Sequence, residues 1–265
     1  MRLGAVPYLN ALPLIHGLPW EVRSAPPATL DRLLKIGKLD LATAPIVTLF
    51  ENPNYSLVPG VAIGCRGPVK SVRLIFQKAG MTLGDIGSLY LDMESKTSAM
   101  LLKVLLHFKY KMNLQKIRFD RPLPGPGPDA VLLIGNKAMQ NLPPSPPSLS
   151  KRGVGGGFLD LGEEWTSWTG LPFVFAAWLG PVKNLENKVV ETLITTCEKN
   201  LSNLETLPVD ASPLPREESL KYLTENVSYR LGDEEIEGLI RFHSHARELG
   251  LIGHELRLHF YPPSL

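Results

Sequence analysis

The sequence predicts an α/β protein with a mostly parallel sheet and helices on both of its faces. Short apolar runs typical of buried strands alternate with segments whose apolar residues recur at helical spacing. The composition, 44% hydrophobic and 20% charged, is that of an ordinary globular protein. A chain of 265 residues can form one large domain or two smaller lobes, and the pattern leaves both open.

The predicted strands are short apolar runs bounded by Gly, Pro or polar residues. The first begins at Leu3, and the others cover residues 39–44, 57–63, 71–77, 89–93, 130–134 and 173–179, with Pro59 and Gly60 interrupting the third run. The predicted helices cover residues 29–36, 96–110, 185–204, 216–226 and 233–249, and the last three follow one another without an intervening strand. We expect Gly37 to end the first helix, and Asp233 and Gly250 to bound the last.

Two polar side chains follow the first predicted strand. The apolar run that starts at Leu3 ends in Tyr8 and Asn10, with Pro7 and Pro13 beside them. Ligands in open α/β sheets bind beyond the carboxyl ends of the strands. We therefore expect Tyr8 and Asn10 to face a binding cleft.

A second group of polar residues precedes the strongest predicted helix. Ser95 is a suitable N-cap, and Lys96, Thr97 and Ser98 would form the first helical turn. Free backbone N–H groups and the positive end of the helix dipole favour a carboxylate or phosphate there. Plain capping explains the same pattern, so the sequence leaves an anion site and a simple cap as alternatives.

Charge and cysteine content exclude several classes of protein. The net charge is +2, with both signs scattered, which argues against nucleic-acid binding and a membrane patch. No apolar run approaches 18 residues, and the chain begins with its first strand, so we expect a cytoplasmic protein. We expect Cys65 and Cys197 to be buried or half-buried thiols, and His243 to be a core or interface residue.

Several motifs together resemble a known family. They lie at residues 6–14, 57–63, 67–72, 95–98, 129–135 and 160–176, and the last of them is the most specific. On these motifs the chain is similar, from residue 3 to about residue 250, to the chorismate dehydratases, which act first in the futalosine route to menaquinone. The chain departs from the family pattern at Pro7, at Ala44-Pro45 and at Asn136, and Thr43 would supply a compensating hydroxyl.

The resemblance implies a two-lobed fold of the type 2 periplasmic binding proteins, with the ligand between the lobes. Lobe 1 would comprise residues 1–74 and 178–265, and lobe 2 residues 75–177. Residues 71–77 and 173–179 would cross between the lobes. Tyr8 and Asn10 would then face residues 95–98 across the cleft, which agrees with the interpretation of both segments from the sequence.

The resemblance also implies a reaction, the loss of water from the dianion chorismate to give 3-[(1-carboxyvinyl)oxy]benzoate. No cofactor or metal is expected. Asn10 would be the catalytic residue that orients the leaving hydroxyl or the reacting ring, and a substrate carboxylate would take the proton. The expected substrate-binding residues are Tyr8, Thr43, Ser71, Ser95, Lys96, Thr97, Ser98, Gly135 and Asn136.

Two other functions compete with this assignment. A solute-binding protein of the same fold would bind a small anion without chemistry, but the chain shows no export signal. The sister enzyme of the same pathway, which forms dihydroxynaphthoate, relies on a histidine base, and none of the six histidines lies in a cleft motif. The sequence leaves the oligomeric state open.

Overall fold

A computed structural model describes residues 1–91, 96–120, 127–140, 157–181, 185–212 and 214–261. Its strands form a seven-stranded sheet and a five-stranded sheet. The strands are β1 Leu3–Ala5, β2 Val22–Ser24, β3 Leu41–Pro45, β4 Ser56–Cys65, β5 Val72–Phe76, β6 Ser88–Leu91, β7 Arg118–Asp120, β8 Ala130–Ile134, β9 Phe158–Asp160, β10 Phe173–Gly180, β11 Ser228–Leu231 and β12 His259–Phe260.

The larger sheet has the strand order β11-β4-β10-β3-β1-β2, and β12 pairs with β4. The prediction of a mostly parallel sheet is wrong, because β10 runs antiparallel to both β3 and β4, and β11 is antiparallel to β4. Two neighbouring strands can be parallel only when the chain crosses back over their own sheet between them. The chain instead reaches β10 by returning from the second sheet. Strand β10 therefore runs in the direction opposite to β3 and β4.

The second sheet has the order β7-β6-β8-β5-β9 and is also mixed. Strand β5 is antiparallel to β8 and β9, whereas β6 is parallel to β7 and β8. The chain passes from the larger sheet to this one between β4 and β5, and returns between β9 and β10. The predicted lobe boundaries fall inside β5 and β10, and the division into lobes stays a prediction.

Nine α-helices lie in the described part of the chain. They are α1 Leu12–Ile15, α2 Pro27–Lys35, α3 Ile46–Glu51, α4 Lys96–Val104, α5 Gly135–Gln140, α6 Leu161–Thr169, α7 Asn187–Ser202, α8 Arg216–Glu225 and α9 Asp233–Glu248. The five predicted helices match α2, α4, α7, α8 and α9 within two residues at each end, when the π-helical turn Leu105–Lys109 that extends α4 is included. None of the described helices is long and apolar enough to cross a membrane.

Three local expectations need correction. Strand β11 lies between α8 and α9, where the sequence pattern predicts no strand; its alternating burial is the pattern of a strand with one buried face. Asp233 is the first residue of α9 rather than its cap, since the Glu235 carboxylate accepts a hydrogen bond from the Gly232 N–H at 2.9 Å. Pro59 and Gly60 do not break β4, because they lie opposite an irregularity in its pairing with β10.

The expectations about the two cysteines, His243 and the two helix-ending glycines are confirmed. Cys65 and Cys197 are free, buried thiols, and burial raises the pKa of Cys197 to about 12. His243 is buried, and its Nε2 lies 3.0 Å from the His254 carbonyl oxygen. Gly37 and Gly250 have positive φ angles just beyond the ends of α2 and α9, as expected of C-terminal glycines.

Candidate active site

A cleft of about 570 Å³, including the part open to solvent, lies between the elements of the two sheets. Its polar lining residues are Tyr8, Asn10, Thr43, Ser71, Thr97 and Ser98. Its other lining residues are Val6, Pro27, Pro45, Ile63, Val69, Val72, Ile134, Gly135, Phe175 and Ala176. A few polar groups thus converge among apolar walls, as is typical of sites for small organic ligands.

The first wall of the cleft is the turn after β1. The chain leaves β1 and forms a short 3-10 turn, Leu9–Ala11, whose middle residue is Asn10. The Tyr8 ring packs against Gly135, which follows β8 of the second sheet. A Cβ at Gly135 would come within 2.9 Å of this ring, and the φ of +57° also favours glycine. Contact between elements of the two sheets therefore requires glycine at this position.

Thr43 joins two strands at the same wall. Its Oγ1 accepts a hydrogen bond from the Val6 N–H at 3.2 Å, and the side chain is fully buried. The bond fixes the end of β1 relative to β3, and so sets where the following turn begins. Thr43 therefore combines a position in the cleft lining with a structural role.

Ser71 reaches the cleft from the segment that joins β4 to β5. This segment contains Lys70 with a φ of 60°, a left-handed conformation that is unusual for a residue with a side chain. The Asp160 carboxylate holds it by accepting hydrogen bonds from the N–H groups of Val69 and Lys70 at 2.9 and 2.7 Å. Asp160 also caps α6, so one buried carboxylate positions both the segment and the helix. Burial raises the pKa of Asp160, and these backbone bonds oppose the rise.

Tyr222 of α8 lies behind Ser71. Its side chain is buried, and its hydroxyl donates a hydrogen bond to Ser71 Oγ at 2.9 Å. Burial raises the pKa of Tyr222, and hydrogen bonds with Ser71 and Asn10 oppose the rise. Tyr222 and Ser71 therefore form a buried hydrogen-bonded pair at the base of the cleft.

The opposite wall is the first turn of α4. Thr97 and Ser98 are both buried and both line the cleft. Thr97 Oγ1 also accepts a long hydrogen bond, 3.5 Å, from the Val47 N–H. The N–H groups of a first helical turn lack partners within the helix, so this wall can bind an anion through N–H and O–H donors. Ser95 lies outside the described residues.

No Asp, Glu, Lys, Arg or His belongs to the described residues that line the cleft. Within that lining, hydroxyl groups, one amide and backbone N–H groups are the groups available to an anionic ligand. Buried hydrogen bonds to an ion are short and strong, so such a site can bind carboxylates by direct donors.

Comparison with known proteins places this chain in a family. A family model described as menaquinone biosynthesis matches residues 1–248. The chain belongs to the menaquinone biosynthesis family. A chorismate dehydratase of Thermus thermophilus is 34% identical in an alignment 191 positions long, which covers 66% of this chain and 68% of the relative.

Solved structures agree on the fold of this family member. The periplasmic aliphatic sulphonate binding protein of Escherichia coli superposes with a TM-score of 0.61 at 16% identity, covering 100% of this chain and 92% of its own. A Candida albicans protein described as having the generic periplasmic binding protein fold superposes with a TM-score of 0.62 at 10% identity, covering 96% of this chain and 91% of its own. The predicted periplasmic-binding-protein-like fold is thus confirmed.

Most of the residues expected to bind substrate in this family come together. The cleft lining includes Tyr8, Asn10, Thr43, Ser71, Thr97, Ser98 and Gly135. Asn136 instead lines a neighbouring pocket, which shares Tyr8 with the cleft and also includes Pro7. The functional roles of these residues stay predictions.

Lys96 belongs to an ion cluster rather than to the described lining. Its Nζ lies 2.8 Å from Asp31 Oδ2 and 2.8 Å from Glu51 Oε2. Lys35 pairs with the same two carboxylates at 3.2 and 2.8 Å. The Asp31 side chain is only 6% exposed; burial alone would raise its pKa, and the two lysines hold the pKa below its usual value. The cluster of two cations and two anions ties α4 to α2 and α3.

This balance of charge predicts how Lys96 acts on an anionic ligand. We expect Lys96→Gln to raise KM for a dianionic substrate about fivefold, because one uncompensated negative charge on the order of 10 Å away costs ~1 kcal/mol. Lys35→Gln is the matched control, since it removes the same charge from the same cluster. Steady-state kinetics should give similar factors for both variants. A large effect of Lys96→Gln alone would show direct binding of the substrate by Lys96.

Sequence reasoning missed Tyr222 and most of the apolar wall. Tyr222 lies on the buried face of α8 with Ser219 and Leu223, at helical spacing. A tyrosine on a buried helical face usually has a hydrogen-bond partner for its hydroxyl. That rule would have identified Tyr222 as a candidate, but the partner, Ser71, lies 151 residues away in the chain.

Proposed function

We propose that the chain removes water from chorismate to give 3-[(1-carboxyvinyl)oxy]benzoate, as a cytoplasmic enzyme of menaquinone biosynthesis. The observation that carries the proposal is that Asn10, Ser71 and the first turn of α4 converge on one cleft. The described residues that line this cleft carry no charge. Membership of the menaquinone biosynthesis family and 34% identity to a chorismate dehydratase support it.

The reaction breaks one ring C–H bond and the C–O bond of the neighbouring ring hydroxyl. The substrate carboxylate that takes the proton passes it to the departing hydroxide, so that one water is lost and the ring becomes aromatic. Aromatisation makes the step strongly downhill, so the enzyme mainly has to hold the reacting groups in line. Good orientation of this kind can lower the activation barrier by up to ~7–11 kcal/mol.

The cleft offers a partner for each part of chorismate. Thr97, Ser98 and the free N–H groups of α4 bind a carboxylate. Apolar side chains such as Ile63, Val72 and Phe175 pack around the ring. Asn10 and Ser71 hydrogen-bond the ring hydroxyl that leaves. A carboxylate of the substrate accepts the proton, since no described lining residue carries an ordinary general base.

Incubation of the purified protein with chorismate tests the proposal. We expect chorismate to be consumed without added nucleotide or metal, giving a product lighter by one water in mass spectrometry. A solute-binding protein would bind chorismate and return it unchanged. Chorismate that only rearranges as it does in buffer, at high protein concentration, would show the proposed function to be wrong.

A further inference from the structure

Tyr222 is buried behind the cleft and contacts it only through other side chains. It is 1% exposed and lies on α8, a helix that contributes no residue to the described lining. Its hydroxyl donates to Ser71 Oγ at 2.9 Å, and Ser71 itself is 2% exposed. A hydroxyl at this position can act on a ligand only by directing the groups that touch the ligand.

The direction of this hydrogen bond determines what Ser71 can do. A serine hydroxyl carries one donor hydrogen and accepts through its oxygen. Because Ser71 Oγ accepts from Tyr222, its own hydrogen is left to be donated elsewhere, and Ser71 lines the cleft. Ser71 therefore presents a donor to the ligand.

The turn Leu9–Ala11, which carries Asn10, packs against α8, the helix that carries Tyr222. Hydrogen bonds with Ser71 and with the Asn10 side chain lower the pKa of Tyr222. Burial raises that pKa more strongly, so Tyr222 stays a neutral phenol. Asn10 Oδ1 is buried with no partner among the described residues, and it is the acceptor left to a ligand.

We propose that Tyr222 is a positioning residue that fixes Ser71 as the donor and Asn10 Oδ1 as the acceptor facing the substrate. This pair matches one hydroxyl group, which donates to Asn10 Oδ1 and accepts from Ser71. The inference rests on the proposed function, in which a ring hydroxyl leaves from this place. As it leaves, the donated hydrogen bond from Ser71 stabilises the negative charge that develops on its oxygen.

The test compares Tyr222→Phe with Tyr229→Phe in the intact protein. Tyr229 on β11 is also buried, but its hydroxyl has no partner among the described residues, so it is the matched control. We expect Tyr222→Phe to lower kcat for chorismate about tenfold, the size of one lost orienting hydrogen bond, and to leave KM within about twofold. Tyr229→Phe should keep kcat within about twofold, whatever its melting temperature.

A double-mutant cycle separates positioning from structural support. Ser71→Ala should lower kcat by a smaller factor in the Tyr222→Phe background than in the wild type. In that background Ser71 has already lost the orientation that Tyr222 gives it. Equal costs in the two backgrounds, or an unchanged kcat in Tyr222→Phe, would overturn the proposal.

A measurement without substrate keeps the inference distinct from the proposed activity. The side-chain amide of Asn10, assigned by its absence in Asn10→Ala, is followed by NMR in ¹⁵N-labelled protein. Its resonances should shift in Tyr222→Phe and stay in place in Tyr229→Phe. If the wild type does not consume chorismate but these shifts appear, the activity is wrong and the positioning holds. Resonances that do not move in Tyr222→Phe would overturn the positioning.

Discussion

Asn10→Ala is expected to lower kcat for chorismate by about 10²–10³, the usual cost of removing one oriented polar group that acts on developing charge. Asn10 lies in the turn after β1, and its Oδ1 has no partner among the described residues. The protein should still fold and bind chorismate, so kcat and the thermal midpoint are measured on the same sample.

Asn200 provides a matched control for this prediction. It is another buried asparagine, and its Nδ2 donates to the carbonyl oxygens of Pro13 and His16 at 2.9 and 2.8 Å. Asn200→Ala should lower the melting temperature and leave kcat of the folded enzyme nearly normal. If Asn10→Ala behaves in this way instead, Asn10 only stabilises the turn.

Asn10→Asp separates hydrogen bonding from charge at the same position. A carboxylate beside a dianionic substrate repels it, and no described lining residue offers a compensating cation. Chorismate binding, measured by calorimetry at neutral pH, should weaken in Asn10→Asp and persist in Asn10→Ala. Equal binding by the two variants would contradict a site at which the substrate dianion approaches Asn10.

The double variant Thr97→Val, Ser98→Ala is expected to have the second large effect. It removes two buried hydroxyl groups from the first turn of α4, while valine keeps the shape of threonine. One hydrogen bond to a charged group is worth ~1.5–3 kcal/mol, so KM should rise at least about tenfold. Steady-state kinetics with chorismate measures the change.

Ser219→Ala is the control for the loss of a buried hydroxyl. Ser219 is fully buried on α8, and its Oγ donates to the Leu214 carbonyl oxygen at 3.2 Å, outside the described lining. Its loss should lower stability and leave KM unchanged. An unchanged KM in the Thr97→Val, Ser98→Ala variant as well would leave those two residues as structural parts of α4, with no role in binding.

Local sequence patterns were sufficient for much of the fold and for two walls of the site. Helix α4 was predictable because its apolar residues recur at helical spacing, and Thr97 and Ser98 follow from where it begins. Tyr8 and Asn10 were predictable because a strand ends just before them. Each of these inferences depends on residues that are neighbours in the chain.

The missed features depend on partners that are distant in the chain. The antiparallel entry of β10 depends on the path through the second sheet, and the apolar run that forms β10 does not encode direction. Lys96 seemed free to bind an anion because Asp31, which neutralises it, lies 65 residues earlier. Tyr222 was missed for the same reason, since its hydrogen-bond partner Ser71 belongs to another segment.

A ¹H NMR time course of chorismate with purified wild-type protein, beside an equal amount of Asn10→Ala, tests the central claim most directly. We predict that the ring signals of chorismate convert to those of a 3-substituted benzoate, with the enolpyruvyl signals retained. Asn10→Ala should do this at least about a hundredfold more slowly, as expected for loss of an oriented polar group. Chorismate signals that decay no faster with the wild type than in buffer, or equal rates in the two samples, would contradict the account.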